Sequence, residues 1–233
     1  MNKKKQQSAA TCDRIVSVAG ELFMRNGYEN TSMQQIAELC GVTKGALYHH
    51  FDSEDAVLEA MCARHYAGQR EKFDPILENP GWSAREKFKN LSDSLRKYEG
   101  ANPAFFKTYL RMHASQETSA IMLKGRLKRH RKKMYLDYVA PILEAGLQED
   151  FFHFDGPPEM MALYLLQIED VITEEMAALL LGAEEGREAA LYAHMEGMAF
   201  AFARLLGVER DVMTDMLEFS DGVEHYSRYQ EKS

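Results

Sequence analysis

The sequence predicts an all-α protein with a small N-terminal head, residues 1–52, and a larger helical body, residues 53–233. Three observations support this fold class. Only 6 prolines and 15 glycines occur in 233 residues, which disfavours a turn-rich β fold. Apolar residues recur at intervals of three and four along most of the chain, as they do on one face of a helix. No stretch shows the apolar–polar alternation of a half-buried strand.

Charge is unevenly distributed between these two parts. The whole chain carries −8, but residues 1–50 hold six Lys or Arg against four acids, a balance of +2 that leaves −10 for the remaining 183 residues. Phosphate contacts need cations. A slightly basic head on an acidic body therefore predicts that only the head meets nucleic acid.

The first head helix is predicted from Ala10 to Asn26. Its apolar residues recur at helical spacing: Ile15, Val18, Ala19, Leu22 and Phe23. Asn26 and Gly27 are predicted to end it. Residues 1–8 contain three consecutive lysines and are predicted to form a mobile polar arm, either touching phosphate or solvated.

Two short helices joined by a tight turn are predicted between Ser32 and Phe51. Ser32 and Gln35 form a capping-box pattern that starts the first helix. Gly41 can end it in the left-handed conformation, which costs little without a Cβ. Thr43 can then cap the second helix. Such a pair places its second helix in the major groove of DNA.

The outer face of this helical pair carries side chains that suit DNA. The residues predicted to contact DNA are Ser32, Gln34, Thr43, Lys44, Gly45, Tyr48, His49 and His50. Lys44 in the first turn can reach a base edge or a phosphate, and Gly45 leaves room for close approach. Tyr48 can donate a hydrogen bond to phosphate. Which of His49 and His50 lies closer to DNA is left open.

The head closely resembles the DNA-binding end of the TetR family of bacterial transcriptional regulators. The resemblance covers roughly the first 60 residues, in the order AxxLFxxxGYxxTSxxxIAxxxGVxKGxLYxHF. It implies a ligand-responsive homodimer that binds double-stranded DNA at a palindromic operator, as a repressor that a small-molecule effector releases. Where many TetR-like sequences have a lysine that meets a DNA phosphate, this chain has Glu54.

The body is predicted to begin with a linker helix that Ser53 caps and that runs to about Lys72. Asp74-Pro75 and Asn79-Pro80 should then break the helical pattern. The helices that follow are predicted at 82–99, 103–114, 117–146, 157–182 and 186–207, with a short one at 211–219.

Two body helices carry more apolar surface than one chain needs to bury. In 157–182 an apolar stripe contains one charge, Glu169, and in 186–207 small side chains recur every four residues. We predict that both helices form a four-helix bundle with their copies in a second subunit, as in TetR relatives. The predicted dimer contacts are Leu165, Ile172, Met176, Ala193, Gly197 and Ala201. Core packing inside a monomer is the alternative.

Two charged features leave alternatives open. A buried carboxylate is costly, so Glu169 should meet a cation across the subunit seam, a ligand, or water at the edge of its stripe. The run Lys124–Lys133, KGRLKRHRKK, has seven cations and no acid. It forms either a solvated helix face or a contact with nucleic acid.

An effector site is predicted in the body from its methionines and aromatic side chains. Flexible thioethers suit an apolar ligand, although methionine is also ordinary core filler. The predicted ligand contacts are Trp82, Tyr109, Met112, Met134, Tyr138 and Glu169. We expect an unidentified, largely apolar small molecule and no cofactor.

Other classes of protein are disfavoured. No GxSxG, P-loop, HExxH or dinucleotide fingerprint occurs and the histidines lack ligand spacing, so neither a catalytic nor a metal site is predicted. An all-α enzyme and an architectural DNA-binding protein without an effector remain the weaker alternatives. The sequence has no run of 18 apolar residues and no signal-peptide pattern, so we expect a cytoplasmic protein without a membrane partner. The cysteines are expected to be buried thiols.

Overall fold

A computed structural model describes residues 3–102, 105, 108–111, 118–181 and 187–217 of the chain. The head contains α1 (Lys3–Asn26), α2 (Met33–Cys40) and α3 (Lys44–His50), and α4 (Glu54–Leu77) leads into the body. The body helices are α5 (Ala84–Ala101), α6 (Thr118–Met134), α7 (Ala140–Gln148), α8 (Pro158–Leu181), α9 (Arg187–Leu206) and α10 (Arg210–Leu217). These described residues contain no strand, and the all-α class is confirmed.

Helix α1 is longer than predicted because it begins at Lys3, where a mobile arm was expected. That prediction is wrong for residues 3–8. Lys and Gln are good helix formers, so this polar segment can extend the helix into solvent. The other end is as predicted, since Gly27 adopts φ +85° and its amide donates to the carbonyl of Phe23 at 3.0 Å.

The core of the head is shared by α1, α2, α3 and the first half of α4. Its fully buried side chains include Ile15, Ala19, Phe23, Ile36, Leu47 and Leu58. Tyr66 of α4 belongs to the same cluster, and so do Tyr109 and Leu127 from the body. The head is therefore packed directly against one end of the body rather than tethered to it.

Helix α4 is fixed to the head by side-chain hydrogen bonds. Ser53 caps its first turn by accepting from the amide of Ala56 at 3.2 Å. The Tyr28 hydroxyl donates to Asp55, and Arg64 donates to Ser17 Oγ at 3.1 Å. A displacement of α4 will consequently displace the head with it.

The far end of α4 differs from the prediction. The helix continues past Asp74 and ends at Leu77, with Pro75 inside its last turn. A proline there removes a single hydrogen bond, to the carbonyl of Glu71, and the few remaining residues can still close the turn. The Asp74-Pro75 pair therefore does not end the helix where the sequence pattern indicated.

The helix predicted at 117–146 is continuous in direction but contains one π-helical turn, Tyr135–Val139, between α6 and α7. The amide of Ala140 donates to the carbonyl of Tyr135. Pro141 has no amide hydrogen and cannot close a regular helical turn here, so the wider turn accommodates it. The extra residue changes which side chains face inward, and both Tyr135 and Tyr138 reach the interior of the body.

The interior of the body is built by α5, α7, α8, α9, α10 and the π-helical turn. Leu143, Ala162, Leu191 and Leu206 are among its most buried side chains. None of the helices described is both long enough and apolar enough to cross a lipid bilayer. The cysteines are free thiols, with Cys40 and Cys62 buried as predicted and Cys12 half-buried.

Candidate DNA-binding surface and effector cavity

The two helices predicted to bind DNA are held by their caps. Ser32 Oγ accepts from the amide of Gln35 at 3.3 Å, while Gln35 Oε1 accepts from the amide of Ser32 at 2.8 Å. Gly41 adopts φ +61°, a left-handed conformation that turns the chain sharply. Thr43 Oγ1 accepts from the amide of Ala46 at 3.1 Å. The predicted capping box, turn and second cap are all confirmed.

Helix α3 turns its polar face to solvent. Leu47 is fully buried beneath it, while Lys44, Gly45 and His49 are exposed. Tyr48 is 43% exposed although its ring is large and apolar, and the ammonium of Lys44 lies 5.8 Å from the centre of this ring. The face that carries the predicted contacts is therefore open, and an aromatic side chain held in water is a common feature of binding surfaces.

The other residues predicted to contact DNA differ in their solvent exposure. Gln34 and Thr43 are both exposed. His50 is half-buried, so His49 is the more accessible histidine. The side-chain amide of Gln34 already donates to Glu38 at 2.7 Å. A contact from Gln34 to a base would have to replace that bond.

The N-terminus of α2 is already occupied by a carboxylate. Glu54 Oε1 accepts from the amide of Met33 at 2.8 Å. Since the amide of Ser32 is bound to Gln35, neither amide is free for a phosphate in this conformation. Glu54 thus caps α2 at the position where many TetR-like sequences carry a phosphate-binding lysine.

An internal cavity of about 210 Å³ lies in the body. Its wall is formed by α4, α5, Phe105, Tyr109, Leu110, α6, the π-helical turn, α8 and α9, with one residue of α10. Drug-sized ligands occupy about 300–1,000 Å³, so a molecule that fits without rearrangement is smaller than these. Four of the predicted ligand contacts line the cavity: Tyr109, Met134, Tyr138 and Glu169.

The other two predicted ligand contacts, Trp82 and Met112, are not among the described residues that line the cavity. Trp82 is absent from the cavity wall because it lies in the turn before Ser83, the residue that caps α5. Only the later turns of α5, from Phe88 to Glu99, face the cavity. Met112 lies outside the described residues.

A buried charge network closes one side of the cavity. Arg131 donates to Glu169 at 2.8 Å, to Asp170 and to the hydroxyl of Tyr109 at 2.8 Å. The hydroxyl of Tyr135 also donates to Glu169. Burial raises the pKa of Glu169 and Arg131 opposes this shift. Burial alone would lower the pKa of Arg131, but Tyr109 and the two carboxylates raise it, and the guanidinium stays charged.

This network resolves the alternatives left open for Glu169. Its partner is a cation of the same chain rather than of a second subunit, and that cation belongs to the basic run Lys124–Lys133. Arg131 has a side chain that is only 14% exposed, whereas Lys128 is 52% exposed and reaches Asp170 at 3.4 Å. The run is therefore partly a solvated face and partly a structural element.

Several residues of the cavity were missed by sequence reasoning. They are chiefly His65, Tyr66, Glu99 and Arg131. His65, Glu99 and Arg131 have mostly polar neighbours in the sequence, so no local sequence pattern distinguishes them from solvent-exposed side chains. The one usable signal was the need of Glu169 for a partner.

Two of the predicted dimer contacts are buried within the single chain. Leu165 is 1% exposed and Met176 is 8% exposed within a single chain, and both line the cavity. They face inward because α8 packs its strongest apolar stripe on α7, α9 and the π-helical turn. Ile172 is half-buried against the same core. Ala201 is half-buried on α9, where Ala193 and Gly197 are exposed.

A second, weaker apolar stripe on α8 and α9 faces solvent. We call this set the outer face; its large members are Met160, Tyr164, Val171, Tyr192 and Phe200, which are 45–62% exposed. Tyr164 and Val171 are seven residues apart, and Tyr192 and Phe200 eight, so each set follows one side of its helix. Exposed apolar surface concentrated in this way marks an interaction site.

Comparison with known proteins identifies the head. Residues 15–61 match the family model described as bacterial regulatory proteins, tetR family. The regulator UidR of Escherichia coli K12 is 36% identical over 61 residues, which are 26% of this chain and 31% of UidR. This region is therefore similar to the DNA-binding end of TetR-family regulators. The TetR-family match spans about a third of the length of this curated relative.

The fold of most of the chain is also found in solved structures. The fatty acid degradation regulator FadR from Bacillus halodurans has a TM-score of 0.61 at 16% identity, covering 81% of this chain and 94% of FadR. A TetR-family regulator from Syntrophomonas wolfei has a TM-score of 0.61 at 19% identity, covering 82% and 95%. At sequence identities this low, the structural similarity shows a common fold and nothing more.

Across the described residues, no cluster of three His, Cys, Asp or Glu side chains could hold a metal ion.

Proposed function

We propose that this chain is a homodimeric transcriptional regulator of the TetR family, a repressor that binds a palindromic operator and is released by a small-molecule effector. The observation that carries the proposal is the exposed pair Lys44 and Tyr48 on α3, within the segment that matches the family. Lysine binds phosphate as a point charge, and a tyrosine hydroxyl can donate to phosphate or to a base edge. Bacterial operators lie in the cytoplasm, and the proposal places the protein there.

The outer face supports a dimer. Its aromatic residues Tyr164, Tyr192 and Phe200 would lose their exposure against the same face of a second chain, in a twofold four-helix bundle. Ala193 and Gly197 lie between them and allow close approach of a helix. Such a dimer presents two copies of α3, and two recognition helices about 34 Å apart read successive major grooves of a palindrome.

The shared core of head and body supports control by an effector. Tyr66 and Tyr109 line the cavity and also belong to the buried cluster of the head. A ligand that displaces Tyr66 displaces α4, which carries the head through its bonds to Ser17 and Tyr28. An effector that binds the released form about 2.7 kcal/mol more tightly lowers operator affinity about a hundredfold.

The cavity favours this proposal over an architectural DNA-binding protein. An architectural protein has no use for an internal space of about 210 Å³ lined by aromatic rings and a charge network. Packing defects in a helical core are normally small, because interiors are filled to the density of organic crystals. A void of this size, adjoining the helix that holds the head, has room for a ligand smaller than a drug-sized molecule.

Lys44→Ala and Tyr48→Ala are expected to weaken DNA binding by about tenfold or more each, because each removes a contact worth about 1–3 kcal/mol. Lys44→Ala should also reduce the slope of log affinity against log salt, since it removes a phosphate contact from each subunit. The measurement is a fluorescence-anisotropy titration with a duplex that the wild-type protein enriches from a random pool.

Lys72→Ala is the matched control, because it removes one exposed lysine from α4 far along the chain from α3. It should bind the duplex like the wild type. Sedimentation should show that all variants form the same oligomer. Normal affinity in both Lys44→Ala and Tyr48→Ala would mean that α3 is not the DNA-reading helix.

A further inference from the structure

The arginines that line the cavity are already neutralised. Arg131 is held by Glu169 at 2.8 Å and by Asp170. Arg96, the other arginine in the wall, donates to Asp93 at 2.7 Å. An anionic ligand would therefore find guanidinium groups that are bound to carboxylates, and it would have to displace them.

The wall contains one carboxylate that has no such partner. Glu99 on α5 lines the cavity, and no described residue donates a hydrogen bond to its carboxylate or forms an ion pair with it. Burial and then Glu169 raise its pKa to about 8, against the opposing effect of Arg131. Glu99 is thus largely protonated at pH 7 in the empty cavity, and a cation beside it would restore its charge.

A second polar atom in the wall is unpartnered. His65 is 5% exposed, and its Nδ1 is buried without a hydrogen-bond partner. Burial lowers the pKa of His65 to about 3, so the ring is neutral and, in the tautomer with hydrogen on Nε2, Nδ1 accepts a hydrogen bond. An unpaired buried acceptor is costly, and a ligand N–H would satisfy it.

Aromatic rings pack around His65 in the same cavity wall that contains Glu99. Phe105 stacks on His65, with ring centres 3.6 Å apart, and lies 6.3 Å from the ring centres of both Tyr66 and Tyr109. All these rings line the cavity. The faces of aromatic rings carry partial negative charge and attract cations, most strongly where water is excluded.

We propose that the effector is a small, mostly apolar molecule with one basic nitrogen, which binds as a cation to Glu99 among the rings of His65, Tyr66, Phe105 and Tyr109. The proposal rests on the proposed function, since it specifies the ligand of the same cavity. Glu99 supplies the opposite charge, Nδ1 of His65 accepts an N–H, and the rings cover the apolar part. The cavity volume restricts the molecule to about the size of one aromatic ring with a short side chain.

Three probes of similar size and different charge test this proposal: phenethylamine, 2-phenylethanol and 3-phenylpropanoate. Isothermal titration of the full-length protein at pH 7, without DNA, should show the amine binding at least about tenfold more tightly than the other two. Equal or tighter binding of the alcohol or the carboxylate would overturn the proposal. Undetectable binding of the amine at millimolar concentration would overturn it as well.

The pH dependence of binding separates Glu99 from a general preference for amines. Because binding converts a protonated Glu99 to its charged form, protons should be released when the amine binds at pH 7, and affinity should rise with pH towards the raised pKa of Glu99 and level off above it. Titrations in two buffers of different ionisation enthalpy measure the release. The other titratable or charged groups that line the cavity with Glu99 are His65, Tyr66, Arg96, Tyr109, Arg131, Tyr135, Tyr138 and Glu169. No proton release would contradict the assignment to Glu99.

Glu99→Gln should abolish both the preference for the amine and the proton release, while the affinity for 2-phenylethanol stays within about twofold of wild type. Glu71→Gln, an exposed carboxylate on α4, is the matched control and should behave like the wild type. Amine preference retained in Glu99→Gln would overturn the proposal.

The failure of this inference can be distinguished from the failure of the proposed function. If the amine binds as described but leaves DNA affinity unchanged, only the proposed regulation fails. If another ligand releases DNA and the amine does not bind, only this inference fails.

Discussion

Arg131→Met is expected to lower the free energy of unfolding by about 3 kcal/mol, which corresponds to a fall of about 6–12 °C in melting temperature for a chain of this size. The substitution leaves Glu169 and Asp170 side by side without their shared guanidinium, and their side chains are only 24% and 17% exposed. Removing one partner of a buried ion pair leaves an uncompensated charge, which costs more than the pair contributes. Thermal and urea unfolding followed by circular dichroism measure the loss.

The loss should depend on pH in a defined direction. Burial already raises the pKa of Glu169, and without Arg131 it rises further. A carboxyl group whose pKa is higher in the folded state binds more protons there than in the unfolded state, so stability falls as pH rises from the unfolded pKa towards the folded one. Arg131→Met should therefore be closest to wild type near pH 5 and weakest above pH 7.

Lys128→Met is the matched control for this substitution. It removes the same charge from the same helix, and Lys128 also reaches Asp170, but its side chain is 52% exposed. Exposed ion pairs contribute about 0–1 kcal/mol, so this variant should stay close to the wild type. Equal stability of the two variants would show that the network around Arg131 does not support the fold.

Tyr164→Glu and Phe200→Glu are each expected to raise the dissociation constant of the dimer more than about a hundredfold. In a twofold interface each substitution buries two unpaired carboxylates, at a combined cost of about 3 kcal/mol or more. Both side chains are more than half exposed in the single chain, at 52% and 55%, so the monomer itself should fold normally. Sedimentation velocity over a range of concentrations measures the effect.

Leu39→Glu is the matched control for the dimer, because Leu39 is also 55% exposed but lies on α2 in the head. It should leave the oligomeric state unchanged.

Variants that fail to dimerise should also bind a palindromic duplex much more weakly than the wild type, since each monomer can occupy only one half-site. A dimer that survives both Tyr164→Glu and Phe200→Glu would place the interface elsewhere.

The head could be predicted nearly residue by residue because its determinants are local. The cap at Ser32, the left-handed turn at Gly41 and the cap at Thr43 each depend on a few adjacent residues, and the structure confirms all three. The prediction failed at residues 3–8, where helix propensity without burial decided the outcome, and the sequence gives no apolar pattern to read.

The body could be predicted only as a set of helices, because its sites depend on which helix faces which. Leu165 and Met176 form the strongest apolar stripe of α8, and that stripe fills the interior of the chain rather than an interface. Tyr164 and Val171 form the weaker stripe that remains outside. Strength of the apolar pattern indicates burial, but it does not distinguish burial within a chain from burial between chains.

Arg131 shows the same limit for charges. In the sequence it is one of seven cations within ten residues, and Glu169 is one acid in an apolar stripe 38 residues later. Neither pattern indicates the other residue as a partner. The packing of α6 on α8 brings the Arg131 guanidinium against the Glu169 carboxylate. Pairings of this kind require the three-dimensional arrangement, as does the isolation of Glu99 beside them.

The central claim is that two copies of α3, one from each chain of a dimer, read DNA together. Selection of bound duplexes from a random pool, with the wild-type protein and with a Lys44→Ala/Tyr48→Ala variant in parallel, tests it most directly. We predict that the wild type enriches an inverted repeat whose half-site centres lie about 10 base pairs, or a multiple of one turn, apart, and that the variant does not. Enrichment of no sequence by the wild type, or of the same sequence by both proteins, would contradict the claim.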